Sequence, residues 1–159
     1  STAFARAGYT VIMACRSKER GEEALRSVRN LGLKGEVILE LVDLAEPASI
    51  HAFAARIQAK YDRLHILFNN AAVMGLPETR NSRGWEMQFA TGHLGHFILT
   101  SRLFVLLQRA RGRVVNVSSI AGFFGLPGPL GKFLRLDLAD LLWTSRKYDP
   151  FGAYCSTKR

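Results

Sequence analysis

Four short runs rich in apolar and β-branched residues recur along the chain, and the stretches between them have helical periodicity. The runs are "YTVIMAC" at residues 9–15, "EVILELVDL" at 36–44, "LHILFNNAAV" at 64–73 and "GRVVNVSSIAG" at 112–122. Each is strand-sized, and the intervals are long enough for a crossover helix. A chain of this pattern joins its strands in parallel, because parallel neighbours need a helix-length return connection. The reading is therefore α/β, a doubly wound parallel sheet over residues 1–159 taken as a single domain.

The helical intervals carry their own punctuation. "STAFARAG" reads as the latter half of a helix stopped at Gly8, a residue that accepts the left-handed conformation of a helix C-terminus. "SKERGEEALRSVRNLG" sets Ala24, Leu25, Val28 and Leu31 on one stripe, with Gly32 as its stop. "EPASIHAFAARIQAKYD" has Pro47 suited to a first turn. "WEMQFATGHLGHFILTSRLFVLLQRA" predicts one long helix, apolar around much of its circumference and so well buried. Residues 120–150 contain "FFGLPGPLGKF", whose glycines and prolines predict a long loop with at most a helical turn.

Composition removes several function classes. The formal charge is +9, which suits a phosphate-bearing partner. The basic residues are scattered, however, without a long run or interleaved aromatics, which speaks against nucleic acid. Cys15 and Cys155 are far apart and lack the spacing of a disulfide framework or zinc site. They fit a reducing compartment, cytoplasmic or organelle-associated. No apolar run approaches the roughly 18 residues of a membrane span, and no signal pattern opens the chain.

Ligands of open parallel sheets bind beyond the carboxyl ends of the strands. Those ends hold Cys15 and Arg16, Asp43 and Leu44, Asn69 to Ala72, and Ser118 with Ser119. Arg16 suits a phosphate or is a solvated charge; Asp43 accepts from an adenine amine or caps the next helix. The "NNAA" segment lets a flat ligand approach, or forms an Asn-based turn. Ser118 and Ser119 are strand-end hydroxyls or donors to a reacting oxygen. His93 and His96, three apart, favour packing over metal binding, because no further ligand completes a set; no metal is expected. Tyr154 and Lys158 fall one turn apart on a helix beginning near Pro150. An ammonium there favours the phenolate and fits the tyrosine for proton exchange near neutral pH.

Taken in order, "VIMACRS", "VDL", "NNAA", "GHLGHFILTSRL", "GRVVNVSSIAG" and "YCSTK" resemble the short-chain dehydrogenase/reductase family over nearly the whole chain. "ACRS", "HLGHF" and the insert before "AYCSTKR" are most similar to its retinol dehydrogenase and WW-domain oxidoreductase branch. The resemblance implies a Rossmann-type sheet, with Ser119 holding the substrate oxygen, Tyr154 exchanging a proton, and Lys158 tuning the tyrosine and binding the nicotinamide ribose. It sets Asn70, Ala71 and Ala72 against the cofactor, with Leu44 beside Asp43 at the adenine. Arg16 would favour the 2′-phosphate, making the cofactor NADP(H) ahead of NAD(H). The substrate implied is a small apolar alcohol or carbonyl compound, and a homodimer is compatible.

Two departures accompany the resemblance. Gly92 stands where relatives often carry an asparagine that supports a proton relay through water. The family's first strand and its TGxxxGxG phosphate turn would precede Ser1, and its last strands would follow Arg159. Without that central strand, two half-sheets with unpaired edges are expected, and the 159 residues alone are expected to be unstable or inactive. The parent protein is expected to be an oxidoreductase. A non-catalytic nucleotide-binding or regulatory relative is the alternative, and nucleotide-sugar epimerase or dehydratase chemistry is a more distant one.

Overall fold

The computed structural model describes residues 2–123 and 137–158. Its elements are α1 (Thr2–Arg6), β1 (Val11–Cys15), α2 (Lys18–Arg29), β2 (Val37–Leu41), α3 (Pro47–Lys60), β3 (Ile66–Asn69), α4 (Met87–Phe89), α5 (Gly95–Ala110), β4 (Arg113–Asn116) and α6 (Pro150–Thr157). A π-helical turn, Ala90–Leu94, links α4 to α5, and a 3-10 turn, Ile120–Phe123, follows β4. The chain divides into two compact units, Ser1–Asp43 and Leu44–Arg159.

In the first unit β1 and β2 pair in parallel, from Val11 opposite Val37 to Cys15 opposite Leu41. Ser17 caps α2 by accepting a hydrogen bond from the Arg20 amide at 3.2 Å, so the turn after β1 is anchored directly before the helix. Gly21 is buried, and a Cβ there would lie 2.6 Å from Leu39 Cδ1, the far end of a flexible side chain. A larger residue would require Leu39 to turn aside. The helix stops at Arg29, so Leu31 lies beyond the expected stripe and is exposed. Gly32, at φ +58°, takes the left-handed conformation after it.

In the second unit β3 and β4 form another parallel pair, from Ile66 opposite Arg113 to Asn69 opposite Asn116. Helix α3 begins at Pro47, as expected, and packs Ile50, Phe53, Ala54 and Ile57 into the core; α5 contributes Leu99, Leu103, Leu106 and Leu107. Each fully buried Leu or Ile contributes about 1.5–3 kcal/mol of transfer free energy. Asn81 ties the preceding loop to the start of α3, its Nδ2 donating to the Ala45 carbonyl at 2.6 Å. Ser82 also donates to Glu46.

Three expectations need correction. The long helix begins at Met87, and only one face of α5 is buried: Phe97, Phe104 and Val105 remain exposed. The strands are only partly covered, with β4 exposed throughout, because side-chain burial needs an element packed on the sheet face, which an apolar run in sequence does not supply. The fourth strand ends at Asn116, so both serines lie just past its carboxyl end, ahead of the 3-10 turn. The glycine- and proline-rich segment 124–136 lies outside the described residues; among 137–149, turns rather than helix precede α6.

Candidate active site

The best-defined constellation lies in the second unit, where the exit of β4 meets the C-terminal turn of α6. Asp149 caps α6, accepting from the amides of Phe151 and Gly152, and Pro150 sets its first turn. Tyr154 is half-buried on this helix, and its hydroxyl has no hydrogen-bond partner among the described residues. Lys158, the C-cap residue, is only 8% exposed. Its Nζ donates to the Val117 carbonyl at 2.9 Å and lies 6.0 Å from the Tyr154 ring centroid. Reciprocally, Ser118 Oγ donates to the Lys158 carbonyl at 2.8 Å. Gly122 completes the junction, since a Cβ there would come within 2.7 Å of that same carbonyl.

Ser119 is half-buried, and its Oγ accepts from the Ala121 amide at 3.2 Å, leaving its own proton available to a ligand. The two serines therefore divide their work: Ser118 fastens the strand exit to α6, and Ser119 holds the turn.

Asn70, Ala71 and Ala72 follow β3 directly and are exposed, so no bulky side chain screens the backbone there. Their neighbour Asn69 is buried. Its Nδ2 donates to Asn116 Oδ1 at 2.8 Å and Thr100 Oγ1 at 3.0 Å. This fixes the ends of β3 and β4 against α5. Leu44 is half-buried at the start of the unit, and its backbone occupies the space a side chain at Gly95 would need. In the first unit, Arg16 is exposed immediately after β1, and Asp43 is half-buried after β2.

A second network holds α6 in place. The fully buried Glu86 accepts from the Gln88 and Phe89 amides at 3.0 and 2.7 Å, and from the Tyr148 hydroxyl at 2.8 Å. Gln88, also fully buried, donates to that hydroxyl and to the Pro150 carbonyl, and accepts from the Gly75 amide. Burial, then the Glu86 hydrogen bond, pushes the Tyr148 phenol up to about 12. The folded state thus keeps a proton that the unfolded state loses near pH 10. Stability is expected to fall as pH rises from about 10 to about 12, and urea melts of Tyr148→Phe should lack that part of the decline.

Sequence reasoning treated His96 as a packing residue, and it is buried, but its Nε2 has no hydrogen-bond partner. Burial first, then the nearby Lys158 charge, holds its imidazole below the usual range; the Gly92 and Ala71 carbonyls act in the opposite direction. His93, by contrast, is exposed and stacks on Phe89 at 4.9 Å. The legible signal for His96 was its position four residues after Gly92, one helical turn away on the same face.

Residues 1–130 match the family model for short chain dehydrogenases. The chain belongs to the short-chain dehydrogenase family. It is 41% identical to human retinol dehydrogenase 13 over 156 residues, 98% of this chain and 44% of that protein. It is 43% identical to mouse retinol dehydrogenase 12 over 126 residues, 77% of this chain and 39% of that protein. This chain thus spans less than half the length of these relatives. A structure of a Mycobacterium paratuberculosis protein described as putative and uncharacterized aligns with TM-score 0.78 at 39% identity, covering 99% of this chain and 51% of that one. A metagenomic short-chain oxidoreductase in complex with NADP aligns with TM-score 0.70 at 22% identity, covering 99% and 62%. The family assignment makes the fold Rossmann-type, and the two separate parallel pairs make it an incomplete version. The retinol dehydrogenase-like branch read from the motifs agrees with these relatives.

Proposed function

We propose that the whole protein transfers a hydride between NADP(H) and a small apolar alcohol or carbonyl compound, with retinoids as the first substrates to try. The observation that carries this reading is the junction of the serine-bearing turn with Tyr154 and Lys158, held by the paired Ser118 and Lys158 hydrogen bonds. The retinol dehydrogenase relatives give the substrate class its motivation.

The donor set suits a nicotinamide dinucleotide. The small exposed side chains at Ala71 and Ala72 leave open backbone, and the Lys158 ammonium has N–H groups beyond the one given to Val117. In the first unit the exposed Arg16 guanidinium suits a phosphate through paired charge-assisted hydrogen bonds. Asp43 and Leu44 would serve the adenine, and Asn70 the nicotinamide side. When bound, the cofactor supplies or accepts the hydride. Ser119 then donates to the substrate oxygen, and Tyr154 gives or takes the proton there. Lys158 favours the phenolate of Tyr154 by its positive charge. We further assign residues 1–159 to one partial dinucleotide-binding domain. The 159 residues alone, which contain no TGxxxGxG turn, are expected to turn over no NADPH. The exposed α5 face with Phe97 and Phe104 is compatible with a homodimer.

The test is oxidation of NADPH by the whole protein with retinal and with medium-chain aldehydes. Turnover supports the enzyme; cofactor binding without turnover on any of them favours a regulatory relative. Arg16→Ala should weaken NADPH by the value of a charged hydrogen bond, about 1.5–3 kcal/mol, while leaving NADH nearly unchanged. Equal losses for both cofactors would remove Arg16 from phosphate recognition.

A further inference from the structure

Trp143 carries its backbone at φ +55°, a left-handed conformation that is an outlier for so bulky a side chain. Its surroundings over-determine that conformation. Arg80 donates from both terminal guanidinium nitrogens, to the Leu142 and Trp143 carbonyls at 3.1 and 2.8 Å. The buried Asp140 carboxylate accepts from the amides and hydroxyls of Thr144 and Ser145 at 2.6 to 3.1 Å. The Arg146 guanidinium lies 3.7 Å from the indole centroid and donates to the Asp140 carbonyl at 3.1 Å. Strain held by its surroundings in this way clusters at functional sites.

The indole is kept for its shape. It is buried, and its Nε1 has no hydrogen-bond partner, so its donor contributes nothing to the fold. The ring is set instead against the first turn of α6: a Cβ on the buried Gly152 would stand 3.0 Å from the indole Cη2 and 3.2 Å from Cζ2. Glycine is what lets ring and helix meet there. The far end of α6 is fastened separately, by Lys158 Nζ on the Val117 carbonyl and Ser118 Oγ on the Lys158 carbonyl. Tyr154 lies between these two fixed points, two residues after Gly152.

We propose that Trp143 is a positioning residue for Tyr154. Pressed on Gly152, the indole sets where the first half of α6 lies, and with it where the Tyr154 hydroxyl stands. The proposal rests on the hydride-transfer reading above. A proton donor works only within hydrogen-bond reach of the oxygen it serves, and a displacement of about 1 Å can cost about 10²-fold in rate. The left-handed backbone is then the cost of aiming the ring at the helix, since an ordinary conformation would direct the side chain elsewhere.

The experiment uses the whole protein with Trp143→Phe, with Gly152→Ala and with the two combined, each checked for folding by near-ultraviolet circular dichroism. Each single change is expected to lower kcat about tenfold or more. The NADPH Kd should stay within about twofold, because the Lys158 end keeps its own anchors. In the combined variant the new methyl occupies space that the smaller ring leaves, so kcat should rise above that of either single variant. A merely structural indole would lower stability and leave the kcat of folded protein unchanged; that result in Trp143→Phe overturns the proposal. Should Trp143→Phe fold poorly, Gly152→Ala carries the same test from the helix side. A combined variant no faster than the better single one overturns the contact through Gly152. A measurement independent of turnover follows the isotope-labelled Tyr154 ring by NMR, assigned with Tyr154→Phe. Its resonance should move in both single variants and return toward the wild-type position in the combined one; an unmoved resonance overturns the proposal. A wild-type protein inert toward every substrate, yet showing that response, would defeat the proposed reaction while upholding the hold of Trp143 on Tyr154.

Discussion

Tyr154→Phe in the whole protein is expected to lower kcat by about 10²-fold or more, the usual contribution of a positioned proton donor. The cofactor Kd should remain within about twofold of the wild-type value. Phenylalanine keeps the ring that lies 6.0 Å from the Lys158 ammonium and removes only a hydroxyl with no partner among the described residues. Stability should therefore change little, so the loss would report chemistry rather than folding. Steady-state NADPH oxidation paired with a thermal melt makes the check. A folded variant with wild-type kcat would eliminate the tyrosine as the proton-exchanging group. The same comparison separates an enzyme from a nucleotide-binding relative, since the latter would have no rate to lose.

The second large effect concerns stability. Glu86→Ala removes one carboxylate that serves two backbone amides and the Tyr148 hydroxyl, all at 2.7 to 3.0 Å. Its site is fully buried, so the orphaned donors find no water and the cost is about 3 kcal/mol or more. Glu86→Gln keeps the shape and one acceptor, and should recover part of that loss. Urea denaturation of the three proteins measures the difference; a change under about 0.5 kcal/mol for the alanine variant would remove Glu86 from its structural role. Loss of this network should also lower activity, because it holds Pro150 and so the start of the helix bearing Tyr154.

Helix and strand order was largely legible because it depends on local periodicity. Pro47 at the first turn of α3 and the left-handed Gly32 shortly after α2 follow from backbone chemistry close in sequence. Burial was read less well. The apolar residues of α5 suggested a helix covered on many sides, yet Phe97 is 70% exposed. Hydrophobicity states what a residue would gain from cover, and tertiary packing determines whether cover is present.

The candidate site divides along the same line. Tyr154 with Lys158, the strand-end serines and the small residues after β3 were visible as ordered motifs, because their spacing carries the chemistry. Which serine faces which partner was not visible: Ser118 reaches Lys158 across 40 positions, and the Ser119 hydroxyl stays in its own turn. Asn69 looked like one more polar residue in "NNAA", but is pinned to Asn116 and Thr100. Glu86, Gln88 and Tyr148 carried no motif at all, since a buried hydrogen-bond network is defined by distances between remote segments.

By itself the sequence determined the α/β class and the family and named the candidate site residues, because all three depend on residue type and local spacing. Only the tertiary structure decided that Gly92, Lys158 and His96, whose Nε2 has no hydrogen-bond partner, line one chamber. That chamber depends on how one helix faces another, and residues 92, 96 and 158 acquire a shared environment only when the chain is folded.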